Sequence, residues 1–243
     1  MNYDKYHRSK REMKKRKQNY GESILSFTDL EGAIPALRRK LLFWFKTNAR
    51  DYPWRKTTNW FHLLIAEMML RRTRADQVVP VYRHFVSNYT TLKKAARLDK
   101  KQARKIFRPL GLLWRADHIH ETIAYIKDKY SRRAPQAEEL RKIPGVGDYS
   151  EAMLRNRLFG ERLPAVDSNF VRLFSRLAGK TFRPENRRNR ELRELLLKFT
   201  GSRHSADLNL AVLDFTALVC RPAKPDCASC PLHALCATGK KHE

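Results

Sequence analysis

No stretch of the sequence approaches the 18 or so consecutive apolar residues of a membrane-spanning helix. The N-terminus is basic and polar, without the apolar segment of a secretion signal. Membrane spanning and classical secretion are therefore not expected, and a cytoplasmic protein is, nucleoid-associated if the source is prokaryotic. Convincing period-two alternation is also missing, which argues against sheets. Cysteine is scarce, four residues all between Cys220 and Cys236, so a secreted disulfide scaffold fits poorly. Acids are few beside bases: 25 Asp and Glu against 51 Lys and Arg, a formal net charge of +26. Apolar residues are not scarce, and their 42% is ordinary for a globular chain and too much for a disordered one. The 243 residues suffice for one large domain or two small ones.

Charge of this size on a folded chain needs a counterpart. Nucleic acid is the first candidate because it offers a dense line of phosphates. An anionic membrane surface and a structural role of the ribosomal type are rivals. Eight of the bases (Lys5, Arg8, Lys10, Arg11, Lys14, Lys15, Arg16 and Lys17) crowd the start of the chain against Asp4 and Glu12. Residues 1–21 therefore read as a disordered basic arm, either adding phosphate contacts or serving as a solvated tail.

From about residue 30 the periodicity is helical, with Ala33, Leu37, Leu41 and Trp44 sharing one face. Tyr52-Pro53-Trp54 ends that helix, and residues 60–70 form a strongly apolar one with a single acid, Glu67. Further helices fit roughly 74–88, 100–108, 115–130, 136–142, 148–158, 168–178, 188–200 and 204–218, several separated by Gly or Pro. The expected fold is all-α.

The four cysteines follow the spacing C-x6-C-x2-C-x5-C, which suggests a metal centre. Zinc prefers one compact tetrahedron and often two close pairs. A [4Fe–4S] cluster spreads one thiolate per iron around a larger object, and the two wide arms suit it better. Arg221 and Lys224, inside the first loop, either face DNA or offset the negative charge of a tetrathiolate centre.

Residues 139–150, ELRKIPGVGDYS, run a helix into Pro144, then Gly145-Val146-Gly147, then a second helix. The glycines allow a tight reversal that leaves N–H groups outward at a helix N-terminus, where a phosphate is held without sequence readout. About twenty residues on, LPAVDSNFVRLFSRLAG places Asp167 just before a helix with the core face Phe170, Leu173, Phe174 and Leu177. Asp167 is a helix N-cap or a carboxylate at the mouth of a cleft.

A helical region, the G-V-G hairpin, the Asp and the cysteine signature, in that order, resemble the helix-hairpin-helix DNA glycosylases. The likeness is to the iron–sulfur branch that contains endonuclease III and the adenine-DNA glycosylases, and it runs from about Leu30 to Cys236. The resemblance implies two helical lobes flanking a DNA cleft. Residues 50–162 would form a six-helix lobe with the hairpin; residues 22–49 with 163–243 would form the lobe carrying a [4Fe–4S] cluster on Cys220, Cys227, Cys230 and Cys236. It also implies a monomer acting on double-stranded DNA with a mismatched or damaged base, which is flipped out of the stack.

Three positions discriminate within that family. Bifunctional members carry a lysine two residues after the second hairpin glycine, which cleaves the strand through a Schiff base. Tyr149 stands there, so base removal without efficient strand cleavage is expected. Glu67 matches the Glu with which adenine-DNA glycosylases protonate the leaving base, although it also reads as the cap of a neighbouring helix or the partner of an Arg. Leu70-Arg71-Arg72-Thr73 replaces the glutamines of adenine enzymes, and Arg suits guanine acceptors. With AVDSNFVR these features look like the thymine-DNA glycosylases that act on T·G and U·G. Leu70, Arg71, Leu112 and Leu113 would plug the gap and contact the opposite guanine, with Arg72 and Thr73 also binding the DNA. Gly145, Val146 and Gly147 would grip the strand. Tyr149 and Glu67 would line the pocket, with Asp167 stabilising the oxocarbenium-like sugar. Leu112, Leu113 and Trp114 stand where polar residues and tyrosine are frequent, and read as wedge or core. Asp148 stands where Lys or Arg is frequent, unfavourable beside a phosphate unless it caps the helix. The alternatives are an adenine-DNA glycosylase lacking its extra recognition domain, a glycosylase for a modified pyrimidine, and a non-catalytic DNA-binding module.

Overall fold

The computed structural model describes residues 27–111, 113–180, 182 and 189–239. The arm expected over 1–21 and Leu112 lie outside the described residues. Among those residues the structure is helical, with no strand. In chain order the helices are α1 (Phe27–Gly32), α2 (Ile34–Asn48), α3 (Trp60–Met69), α4 (Ala75–Asn88), α5 (Leu92–Ala95), α6 (Lys100–Phe107), α7 (Leu113–Tyr130), α8 (Asp148–Phe159), α9 (Ser168–Ala178), α10 (Arg190–Thr200) and α11 (Ser205–Leu218).

Local chemistry sets the ends. The Asn59 side chain accepts from the N–H groups of Phe61 and His62 at 3.0 and 3.3 Å and starts α3. Asp99 and Gln102 form a reciprocal capping box at α6. The Asn189 side chain accepts from the Leu192 N–H at 3.0 Å, so α10 begins two residues later than the periodicity predicts. Helix α5 is absent from the periodicity reading because a single turn, capped by Thr91, is too short to show a period. The segment expected as a helix over 136–142 is a 3₁₀ helix, Ala137–Lys142. Pro135 and Pro144 leave little chain between them, and a short run takes the tighter i→i+3 pattern.

Two large hydrophobic cores organise the described residues, with a small third cluster of Ala152, Met153 and Ala165. One gathers Tyr52, Trp54 and the buried faces of α3, α4, α6 and α7, with Phe61, Tyr82, Phe85 and Phe107 at its centre. The other gathers Leu30, Leu37 and Leu41 with α9, α10 and α11 around Phe170, Phe174, Phe199 and Phe215. From α1 in the second core the chain crosses to the first after α2, and returns after α8. The return is pinned by two buried asparagines: Asn209 Oδ1 accepts from Ala165 N at 2.8 Å, while Asn209 Nδ2 and Asn156 Nδ2 donate to Leu163 O at 2.9 and 2.7 Å. Each such bond contributes about 1 kcal/mol net.

The outward crossing is held by charge. Asp214 of α11 is fully buried. It accepts from Arg50 Nε at 2.6 Å and Arg50 N at 2.9 Å, and from Arg55 Nη1 and Nη2 at 2.7 and 2.8 Å. Burial pushes its carboxyl up, but the Arg55 and Arg50 hydrogen bonds outweigh it and hold Asp214 below the ordinary carboxylate value. Both guanidinium groups also sit over the Tyr52 ring, 5.1 and 5.3 Å from its centre.

Candidate active site

Between the two cores lies a cleft of about 730 Å³. Glu67 reaches it from α3, which packs against α8. Tyr149 reaches it from the first turn of α8, and Asp167 from the residue before α9. The turn Leu70-Arg71-Arg72-Thr73 forms its rim. Seven of the residues singled out from the sequence thus share one cavity.

Asp167 is both things its sequence context suggests. As the N-cap of α9 its Oδ1 accepts from the backbone N–H groups of Asn169 and Phe170 at 2.9 and 3.0 Å, and its Oδ2 accepts from Asn169 Nδ2. The cap fixes the carboxylate while the residue still lines the cleft. Burial pushes its pKa up, and the hydrogen bonds from Phe170 and Asn169 pull only part of that back. Asn169 Oδ1 in turn accepts from Arg172 Nη2 at 2.9 Å, and Arg172 Nε donates to Cys220 O at 3.2 Å. A hydrogen-bonded chain therefore connects Asp167 to the first cysteine of the signature.

Glu67 has a different environment. Its Oε2 is sealed from water and accepts no hydrogen bond. Burial pushes its pKa up to about 7, against the pull of the Arg157 guanidinium. A carboxyl with that value is a proton donor at neutral pH. The Tyr149 phenol is raised well above its ordinary value, first by burial and then by the nearby Glu67 and Asp167 carboxyls. It stays protonated and can donate a hydrogen bond.

The rim is tied to the loop before α7. Arg115 is buried, and its Nη1 donates to Thr73 Oγ1 and to Leu110 O. Thr73 Oγ1 also bonds Leu110 O at 3.2 Å. Arg72 sits at φ +56°, in the left-handed region that disfavours a side chain. Leu113 and Trp114 are 59% and 48% exposed, so they are not core.

The hairpin lies outside the cleft. Gly145 has φ +85°, and a Cβ there would meet Met68 Cε at 3.1 Å and the His118 ring at 3.3 Å. Thr122 Oγ1 donates to Pro144 O at 3.0 Å, Val146 is buried, and Arg71 Nη1 reaches Gly145 O at 3.4 Å. Gly147 is the N-cap of α8, so Asp148 caps nothing; it pairs with Arg141 at 2.8 Å, which offsets the acid. Arg221 and Lys224 are exposed on the cysteine loop.

Cys220, Cys227, Cys230 and Cys236 are free thiols lining one small cavity with Leu173, Leu177 and Phe215. The Gly239 N–H points to Cys236 Sγ at 3.4 Å, and Arg176 Nη1 to Cys220 Sγ at 3.3 Å. Among the described residues no three His, Cys, Asp or Glu side chains are disposed around a single ion position.

Arg50, Arg55, Arg157 and Asn169 also line the cleft, and with Asp214 they stand outside the residues that the sequence motifs single out. Asp214 carried a usable signal, a lone acid in the apolar stretch LNLAVLDFTAL, the same signal that singled out Glu67. Arg157 lies two steps of four from Tyr149 and hence on the same helix face.

The sequence pattern of the HhH-GPD superfamily base excision DNA repair proteins matches residues 65–198. A thymine/uracil-DNA glycosylase of Methanothermobacter thermautotrophicus is 33% identical over 203 residues, 83% of this chain and 91% of that protein. The solved structure of a thermostable thymine-DNA glycosylase superposes with a TM-score of 0.79 at 30% identity, over 86% of this chain and 98% of that one. A non-covalent endonuclease III–DNA complex gives 0.73 at 25% identity, over 87% and 97%. With its hairpin, its capped aspartate and its helical cleft, the chain belongs to the HhH-GPD superfamily of base excision DNA repair proteins.

Proposed function

We propose that this chain is a monofunctional DNA glycosylase that hydrolyses the N-glycosidic bond of thymine or uracil mismatched with guanine. One observation carries the reading: Glu67, Tyr149 and Asp167 face a single cleft, and no lysine is among the described residues that line it. Without a lysine there is no amine to form the imine on which strand cleavage depends. The similarity to a thymine/uracil-DNA glycosylase over most of both chains supports the choice of base.

The flipped nucleotide enters between the cores. Mismatched pairs lower the cost of flipping by up to a few kcal/mol. The ionised Asp167, oriented by its cap bonds, stabilises positive charge on the sugar and accepts a proton from the attacking water. Protonated Glu67 gives its proton to the departing base, and the Tyr149 phenol hydrogen-bonds that base. Leu70, Arg71, Arg72 and Thr73, with Leu112 and Leu113, fill the gap and meet the opposite guanine. Gly145, Val146 and Gly147, joined by Arg221 and Lys224, hold phosphates. Residues 50–162 act as one lobe, and 22–49 with 163–243 as the other, and a monomer suffices.

Four thiols around one apolar cavity fit a [4Fe–4S] cluster held by Cys220, Cys227, Cys230 and Cys236. When bound, it would cross-link the 220–236 loop. This chain's own contribution is the bond from Arg172 to Cys220 O and on through Asn169, which keeps Asp167 in place.

The test is thymine release from a T·G duplex by wild type and Asp167→Asn. The variant should lose release by at least about 10³-fold while binding the duplex with near-wild-type affinity. Near-normal turnover in it would refute the assignment of Asp167.

A further inference from the structure

Arg157 takes no part in the hydrolysis described above, yet it faces the same cavity. Tyr149, Met153 and Arg157 rise along one side of α8 at steps of four, and all three line the cleft. The guanidinium is anchored at one end only: Nη2 donates to Arg55 O at 2.8 Å and, more weakly, to Thr57 O at 3.4 Å. No described residue accepts from its Nε or Nη1. The charged groups around it are Arg55, Glu67 and Asp207. A fixed cation with unused donors therefore sits in the pocket beside the group that delivers the proton.

The chemistry of the leaving group says what those donors are for. When C1′–N1 breaks in a pyrimidine-2,4-dione nucleotide, the bonding pair moves to N1 and spreads onto the carbonyl oxygens O2 and O4. Adenine has no carbonyl oxygen, and its amino group would meet the guanidinium donor to donor. We infer that Arg157 is a catalytic and specificity-determining residue whose free N–H groups bind a carbonyl oxygen of the flipped pyrimidine and hold its developing negative charge. This deepens the proposed function and rests on it. The step balances: water oxygen bonds to C1′ and its proton passes to Asp167. The C1′–N1 pair leaves with the base, and the proton of Glu67 neutralises it. Asp167 then releases its proton to solvent, and Glu67 takes one up.

The test varies the leaving group. Single-turnover rates are measured for thymine, uracil and 5-fluorouracil, each opposite guanine, with wild type, Arg157→Met, Arg157→Gln and Arg157→Lys. Fluorine withdraws electrons, so 5-fluorouracil leaves most readily and needs the cation least. Arg157→Met should slow thymine by about 100-fold, the loss of one such donor, and 5-fluorouracil by less than about 10-fold. The rate therefore becomes steeper in leaving-group acidity. Arg157→Gln, which can still donate to the Arg55 and Thr57 carbonyls, should be as steep even if Arg157→Met folds poorly. Arg157→Lys, which keeps the charge, should lie between. A wild-type enzyme active on all three bases, with every variant slowing them by one common factor, would overturn the role of Arg157 while leaving the glycosylase reading intact. A wild type inactive on all three would overturn both.

Discussion

Glu67 and Asp167 are two carboxylic acids in one cleft, and burial pushes both up, but only at Asp167 do hydrogen bonds pull part of that shift back. Asp167 accepts three hydrogen bonds, whereas Glu67 Oε2 accepts none and burial pushes that group up to about 7. Catalysis needs Asp167 ionised and Glu67 protonated, so the single-turnover rate should be bell-shaped in pH. The alkaline limb should fall near pH 7, and the acid limb above the ordinary Asp value of 3.8. Glu67→Gln should remove the alkaline limb and slow the reaction by about 10²-fold; a limb that persists in the variant would assign it to another group. The same shift has a stability consequence. Between the ordinary Glu value of 4.5 and about 7 the folded state binds more protons at Glu67 than the unfolded state, so its contribution to stability declines as pH rises through that window. Glu67→Gln should therefore melt progressively higher than wild type from about pH 4.5 to 7, measured by circular dichroism. Glu67 was legible in the sequence because an acid among Leu63, Leu64, Met68 and Met69 needs a reason to be there. Arg157 was not, since Arg155 two residues earlier looks the same on paper. Arg155 pairs with Glu151 and Glu161 while Arg157 turns into the cleft.

The hairpin shows what a few residues between two helices control. Its glycine pattern was legible, because a tight reversal before a helix start leaves few alternatives to glycine at φ +85°. Its connection to the cleft was not. A Cβ at Gly145 would come within 3.1 Å of the side chain of Met68, the neighbour of Glu67 on α3. Gly145→Ala should cost about 1–2 kcal/mol of backbone strain and displace Met68 and His118 as well. The expected outcome is a lower melting temperature and weaker duplex binding by fluorescence anisotropy. Unchanged binding would separate the hairpin from the DNA-holding role proposed for it. The apolar spacing of Ala137–Lys142 permits an α-helix, and the flanking prolines make it a short, tight 3₁₀ segment instead.

At the scale of the whole molecule, periodicity told which helix faces are buried but not against what. The two cores follow from that patterning, while the clasp between them joins residues 159 and 164 apart in sequence, Arg55 and Arg50 to Asp214. Asp214→Ala leaves two guanidinium groups facing an apolar helix and should cost about 3–5 kcal/mol, read as a loss of melting temperature. The charge of +26 predicts steep salt dependence: with six or more phosphate contacts, duplex affinity should fall by about 10³-fold or more between 50 and 200 mM salt. The most direct measurement is single-turnover cleavage of matched duplexes containing T·G, U·G, or adenine opposite 8-oxoguanine, each read with and without alkali, which turns abasic sites into breaks. A monofunctional T·G and U·G glycosylase gives breaks at those two pairs only after alkali. Breaks without alkali, or cleavage confined to the adenine duplex, would contradict the proposed function.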